Sequence, residues 1–271
     1  MPTFSWSKED DLSFVENYRP KKKEIKHLRI LLVGTTGAGK SSFINSVGSC
    51  LRGKINSNRA FTDATSGNSF TTKFKTHKIK NENCESFYPF VFNDTMGLEP
   101  KNYHGVHVED IKLVMKGHVR ENYTFNHQSP LSEGDEGYNP NPTPDDKVHV
   151  LVFVADAGKV SLMDEDIVKK MKDIRQAACD LEIPQVAILT KIDEACPKNK
   201  TNIQDVYKSK YLKEKVDMFS KQVVGLPQSC IFLVKNYSSE TYTNDYIDTM
   251  MLNTLGHIIN YGEDYLNNQR V

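Results

Sequence analysis

The stretch Gly34-Thr35-Thr36-Gly37-Ala38-Gly39-Lys40-Ser41 constrains this chain more than any other. It fits GxxxxGK[ST], follows the short apolar run Leu28–Val33 and precedes a segment, Ser41–Val47, that should start a helix. A strand turning through glycines into a helix aims backbone N–H groups and the helix dipole at one point, and that point suits a phosphate. Gly34, Gly37, Ala38 and Gly39 make the curl, and Lys40, Ser41 and Ser42 open the helix. Lys40 is expected to reach β- and γ-phosphates, and the Ser41 hydroxyl to hold Mg²⁺.

Further apolar runs follow at Phe90–Phe92, Val148–Val154, Val186–Leu189 and Ile231–Val234. Such near-continuous runs suit strands buried on both faces. Helical spacing separates them. Met163, Ile167, Met171 and Ile174 mark one helix, and Ile203, Val206, Tyr207, Tyr211, Val216 and Phe219 another. Tyr246, Ile247, Met250, Met251, Leu255, Ile258 and Ile259 mark the last. This alternation predicts a doubly wound α/β fold: a mostly parallel sheet with helices on both faces. A strand over Ser69–Ile79 would lie antiparallel at the sheet edge. Residues 98–146 break the rhythm. A helix over Val108–Val119 is expected there, then a long mobile loop rich in acidic residues, Pro and Gly.

Two more boxes close expected strands. In Asp94-Thr95-Met96-Gly97, Asp94 is a candidate for Mg²⁺, and the Gly97 N–H for the γ-phosphate. Thr190-Lys191-Ile192-Asp193 fits the [NT]KxD pattern. Asp193 would accept from guanine N1–H and the 2-amino group together, where adenine offers neither donor. Lys191 would lay its stem on the base, and Thr190 bond back toward the phosphate loop. After Ile231–Val234, Asn236 is a candidate purine contact, with Lys235 or Tyr237 stacking. Of Thr62, Thr65, Thr71 and Thr72, the switch residue expected to bind Mg²⁺ and close over the γ-phosphate is Thr71, with Thr65 the runner-up. The set expected to act on the triphosphate is thus Lys40, Thr71 and Gly97.

Composition limits the rest. The chain carries 35 Lys+Arg against 35 Asp+Glu, which argues against a protein that coats nucleic acid or anionic lipid. The longest apolar stretch, Val148–Ala155, falls far short of the roughly 20 residues of a membrane span. The acidic opening residues do not form a secretory signal, and the five cysteines are scattered with no CxxC pair. The expectation is a reduced, cytoplasmic protein. Residues 1–26 read as a leader whose Trp6, Leu12, Phe14 and Val15 dock on the main domain. Pro20 ends that segment, and Lys21, Lys22, Lys23 and Lys26 form a solvated linker. Residues 27–265 form the nucleotide-binding domain, with its insert at about 98–146.

The segments ILLVGTTGAGKSSFINSVGS, DTMGLE, LTKID and VKNYSSE resemble the interferon-induced protein 44 family, within the wider small-GTPase superfamily. The resemblance implies a GTP- or GDP-binding, interferon-inducible cytoplasmic protein acting in antiviral defence or restraint of proliferation. It supports Thr71 through Ser69-Phe70-Thr71. The family has Gly where this chain has Lys235, so the base-framing loop is expected to differ. The resemblance implies an additional N-terminal domain in better-known members, which these 271 residues are not expected to accommodate.

Leu98 occupies the position of the water-orienting glutamine and cannot take that role. Glu99, His104, His107 or a partner's Arg or Lys would have to replace it, and slow hydrolysis is expected. Two readings follow: a nucleotide switch read out by a protein effector, or a scaffold that holds nucleotide constitutively. A homodimer across the nucleotide face is expected by analogy with septin-like relatives.

Overall fold

A computed structural model describes residues 7–55, 72–82, 86–100, 105–196 and 203–269, excluding the side chains of 203–205. Trp6, Thr62, Thr65, Thr71 and His104 lie outside the described residues.

Six strands form one sheet in the order β2-β3-β1-β4-β5-β6. They are β1 (Leu28–Gly34), β2 (Lys75–Asn81), β3 (Ser86–Asp94), β4 (Val150–Asp156), β5 (Gln185–Thr190) and β6 (Ile231–Leu233). All neighbours are parallel except β2, which lies antiparallel to β3 at the edge as expected but starts at Lys75, not Ser69; residues 69–71 lie outside the described residues. The apolar runs are continuous because successive residues feed two cores. Leu31, Val33, Leu151, Phe153 and Leu189 point into one, and Ile30, Leu32, Val150, Val152 and Ile188 into the other.

The first core is covered by α3 (Val108–Lys116), α4 (Glu165–Asp180) and α6 (Lys210–Met218). The second is covered by α2 (Lys40–Arg52) and the long α7 (Asp245–Asn268). A single turn, α5 (Ile192–Ala195), follows β5. Asp164 caps α4 by accepting from the Asp166 N–H at 2.8 Å. The helix expected over 203–219 is instead broken. A 3₁₀ turn (Ile203–Lys208) stops where Ser209 begins a new helix, its hydroxyl accepting from the Leu212 N–H at 3.4 Å. A π-helical turn, Phe219–Val224, then carries the chain to Gly225.

The leader helix α1 (Lys8–Asn17) packs on α7. Val15 is fully buried, and a Cβ on Gly256 would sit 3.6 Å from the Phe14 ring. The Lys8 ammonium lies 2.7 Å from Asp245 Oδ1 and 2.8 Å from Oδ2 of the fully buried Asp248. The other Asp248 oxygen accepts from the Tyr237 hydroxyl at 2.8 Å. Further along, the Tyr18 hydroxyl donates to Glu263 at 2.9 Å.

Two expectations for the insert need correction. Helix α3 stops at Lys116 because Gly117, at φ 83°, takes a left-handed turn that bonds the last carbonyls. The following segment is not a loose loop. Asn139 N–H donates to His118 O at 2.7 Å and Arg120 N–H to Gly137 O at 2.9 Å. His118 stacks on Tyr138 at 5.0 Å, and Phe125 and Leu131 are buried. The buried Asp110 accepts from the Leu131 N–H at 2.7 Å, tying the segment to α3.

His149 joins the insert to the sheet. Its Nδ1 accepts from the Arg29 N–H at 2.9 Å, so Nε2 carries the proton and donates to Pro144 O at 3.1 Å. Burial pushes its pKa down to about 4. The unfolded chain therefore binds this proton first, so the stability tied to neutral His149 is complete above about pH 6.5 and is lost as pH falls toward 4. Urea unfolding at a series of pH values should show wild type losing up to about 3 kcal/mol more than His149→Gln across that window. Equal slopes would rule the ring out as the source.

Candidate functional site

Parallel pairing places the carboxyl ends of the central strands side by side. Leu32 pairs with Asp94, Gly34 with Val154, and Asp156 with Thr190. The loop leaving β1 must press close to β4. A Cβ on Gly34 would stand 2.0 Å from the Val154 carbonyl oxygen, so only glycine fits. Gly37 (φ 71°) has open space on its Cβ side, and Gly39 (φ 92°) turns the chain into α2. Ala38 N–H closes the turn on Thr35 O at 3.1 Å. Lys40 is buried and folds back over the loop, donating to Gly34 O at 3.2 Å and Thr35 O at 3.3 Å. Ser42 begins the helix, its carbonyl accepting from the Ser46 hydroxyl at 2.7 Å.

The second box meets the first directly. Ser41 Oγ donates to Asp94 Oδ2 at 2.5 Å. Asp94 is 1 % exposed, and its Oδ1 has no hydrogen-bond partner among the described residues. A buried carboxylate oxygen without a partner is costly. A hydroxyl and a half-satisfied carboxylate, next to a loop that attracts phosphate, form a donor set that fits Mg²⁺. On β2, His77 senses the Asp94 charge, but burial outweighs it and lowers the imidazole pKa.

The chain beyond Asp94 is fastened to the phosphate loop. Thr95 Oγ1 donates to Leu32 O at 3.1 Å. Gly97 packs on Thr36, where a Cβ would stand 2.6 Å from the Thr36 nitrogen. Leu98 N–H donates to Gly34 O at 3.0 Å, and its side chain is fully buried in the first core. Thr36 Oγ1 donates to the Glu99 carboxylate, and Lys170 of α4 donates to Glu99 O at 2.9 Å. Thr36 and Lys170 escaped the sequence reading. Thr36 fills a variable position of the motif, and nothing in α4 marks Lys170.

On the other flank, Thr190 Oγ1 bonds back to the loop as expected, with Ala38 O at 2.6 Å. Lys191, in a left-handed conformation (φ 55°), places its ammonium 3.2 Å from Asp156 Oδ2. Asn236 Nδ2 donates to Gly39 O at 3.2 Å, while its buried Oδ1 has no partner among the described residues. Asp193 Oδ2 lies 3.6 Å from the Lys235 ammonium. Asp156 and Glu240, the carboxylates that engage the two lysines, were also missed: no motif contains Asp156, and nothing in the VKNYSSE segment marks its final Glu240 as a partner of Lys235.

Tyr237 does not stand ready to stack. It is 8 % exposed, with its hydroxyl turned inward to Asp248 and its N–H donating to Ser46 Oγ at 2.9 Å. His107 Nε2 bonds with His127 O at 3.0 Å, within the insert.

A family model for the 50S ribosome-binding GTPase matches residues 29–191. Mouse interferon-induced protein 44 is 30 % identical over 255 residues, 94 % of this chain and 59 % of the relative. Human interferon-induced protein 44-like is 28 % identical, covering 94 % of this chain and 56 % of the relative. The chain thus spans under two thirds of the length of these relatives, and they carry the name that the sequence motifs suggested. Among solved structures, translation elongation factor SelB from Methanococcus maripaludis matches at 11 % identity, with a TM-score of 0.40, over 92 % of this chain and 36 % of that one. A probable GTP-binding protein engB matches at 15 % identity, with a TM-score of 0.38, over 76 % of this chain and 88 % of that one.

The close seat of Gly97 on the Thr36 backbone has a measurable consequence. Gly97→Ala should destabilise the protein by about 1–3 kcal/mol in urea unfolding, because the collision is with backbone and cannot relax by rotamer change. A loss near zero would mean that the segment after Asp94 yields freely.

Proposed function

The chain belongs to the 50S ribosome-binding GTPase family, and from that premise we propose that it binds GTP and GDP with Mg²⁺ as a nucleotide switch. The observation that supports this most is the Ser41–Asp94 contact, with its orphaned carboxylate oxygen, at the lip of the glycine-rich loop. In this reading Gly34, Gly37, Ala38, Gly39, Lys40, Ser41 and Ser42 hold the phosphates. Lys40 exchanges the Gly34 and Thr35 carbonyls for phosphate oxygens. Ser41 and Asp94 hold Mg²⁺ with Thr71, and the ion would neutralise charge on the β- and γ-phosphates. The Gly97 N–H meets the γ-phosphate. Thr190, Lys191, Asp193 and Asn236 frame the base, with Asp193 reading N1–H and the 2-amino group.

Turnover is slow or needs a partner, because the side chain after Gly97 is the buried Leu98. In this reading Glu99 is engaged by Thr36 of the phosphate loop and is not free to orient water. That same pair favours the second reading, a scaffold that holds nucleotide without hydrolysing it. A protein effector, or a second copy across the nucleotide face, would supply the missing group. The resemblance to interferon-induced protein 44 suggests action in the cytoplasm during the interferon-induced antiviral response. Residues 1–26 act as a leader to the domain spanning 27–265. Among the described residues no helix is long and apolar enough to cross a membrane.

Calorimetry on nucleotide-stripped protein tests the reading. GTP and GDP should bind at least about 100-fold tighter than ATP, with Mg²⁺ strengthening GTP, and Asp193→Asn should move the preference toward XTP. A folded protein that binds none of them would overturn it. Intrinsic GTP turnover, followed by phosphate release, should stay well below about 10 per second. A rate at that level would sink the role given to Leu98.

A further inference from the structure

Lys235 leaves β6 at the point where the chain turns over the phosphate loop. An exposed loop lysine ordinarily extends into water. This one is 14 % exposed, with its ammonium 2.8 Å from Glu240 Oε1 and 3.6 Å from Asp193 Oδ2. The acid that holds it is itself fixed, since Glu240 Oε2 accepts from the Ser238 N–H at 2.8 Å. The neighbouring Asn236 is pinned to Gly39 O. Burial works against the Lys235 charge, but the hydrogen bond and charge of Glu240 and the charge of Asp193 outweigh it and raise the pKa. Lys191, a second cation beside this site, is engaged by Asp156.

The two carboxylates stand in different relations to the ammonium. Glu240 is within hydrogen-bond distance and anchors it. Asp193 at 3.6 Å is too far for a hydrogen bond, so Asp193 keeps its capacity to accept from a ligand. The pairing edge of guanine presents, in order, the 2-amino donor, the N1–H donor and the O6 acceptor. If Asp193 takes the two donors, an ammonium beside it is repelled at the amino end and attracted at the O6 end.

We propose that Lys235 is a specificity-determining residue that reads the O6 oxygen of guanine from its Glu240 anchor, so that the site selects 6-oxopurine nucleotides. This rests on Asp193 being the base reader.

The test compares GDP with 6-thio-GDP, which keeps N1–H and the 2-amino group but carries a poor sulfur acceptor at position 6. ADP is the third ligand, and binding to the full chain is measured with Mg²⁺ present. Wild type should prefer GDP to 6-thio-GDP by about tenfold, the range of one charge-assisted hydrogen bond. Lys235→Met should lose that factor on GDP alone, bringing the ratio near one, and Glu240→Gln should fall between. If Lys235→Met folds poorly by thermal melting, the ratio is read on Glu240→Gln, and an unchanged ratio there overturns the proposal. Equal weakening of GDP and 6-thio-GDP in Lys235→Met would also overturn it, by showing a structural role. Wild type that prefers GDP to ADP, with an unaltered GDP to 6-thio-GDP ratio in Lys235→Met, removes the O6 role and leaves Asp193 standing. Wild type indifferent between GDP and ADP removes both.

Discussion

Strand β1 has parallel partners on both sides, and the geometry of the site follows from that placement. Parallel ladders align the carboxyl ends of their strands, so loops from β1, β3, β4 and β5 must leave at one edge. The tightest point is Gly34 against the Val154 carbonyl. Any side chain there would push the loop off β4 and carry Gly37, Gly39 and Lys40 with it. The contacts that close the site, Leu98 to Gly34 and Thr190 to Ala38, are made to a backbone held by that approach.

The division of labour across this edge is uneven. Groups suited to phosphate and cation are backbone donors and short side chains, such as Ser41 and Asp94, fixed by strand ends and a helix start. Fast hydrolysis would need one more polar group, free to meet water, just beyond Gly97. The chain gives that place to Leu98, which serves the core between β1 and the helices facing it. In the proposed reading, packing and water activation compete for one position, and packing holds it.

How far the sequence could be read depended on whether a contact was local. The strands were legible because burial on both faces leaves unbroken apolar runs such as LRILLV and VLVFVA. The meeting of Ser41, Asp94 and Thr190 at one edge was legible because Asp94 and Thr190 end such runs and Ser41 follows one through a spaced motif. The break at Ser209 was hidden, since a lone serine in a helical pattern looks like a surface residue until its hydroxyl caps a new turn. The insert was misread because its order comes from scattered bonds, such as Asp110 to Leu131, and has no period. Thr36 with Glu99, and Lys235 with Glu240, join positions that only the tertiary fold or a tight turn brings together. Tyr237 offered an aromatic ring in the right loop, but the buried Asp248 claims its hydroxyl.

That same Asp248 gives the leader helix a reach beyond its size. Lys8 neutralises a fully buried carboxylate whose other oxygen holds Tyr237, and Tyr237 adjoins the asparagine seated on Gly39. Lifting α1 from α7 would take the countercharge away from this carboxylate, next to the residues that shape the mouth of the loop. Thermodynamic reciprocity then requires that whatever steadies the mouth also steadies α1. Lys8, together with the Asn253–Asp11 hydrogen bond and the burial of Val15, thus ties the start of α1 to this edge of the fold.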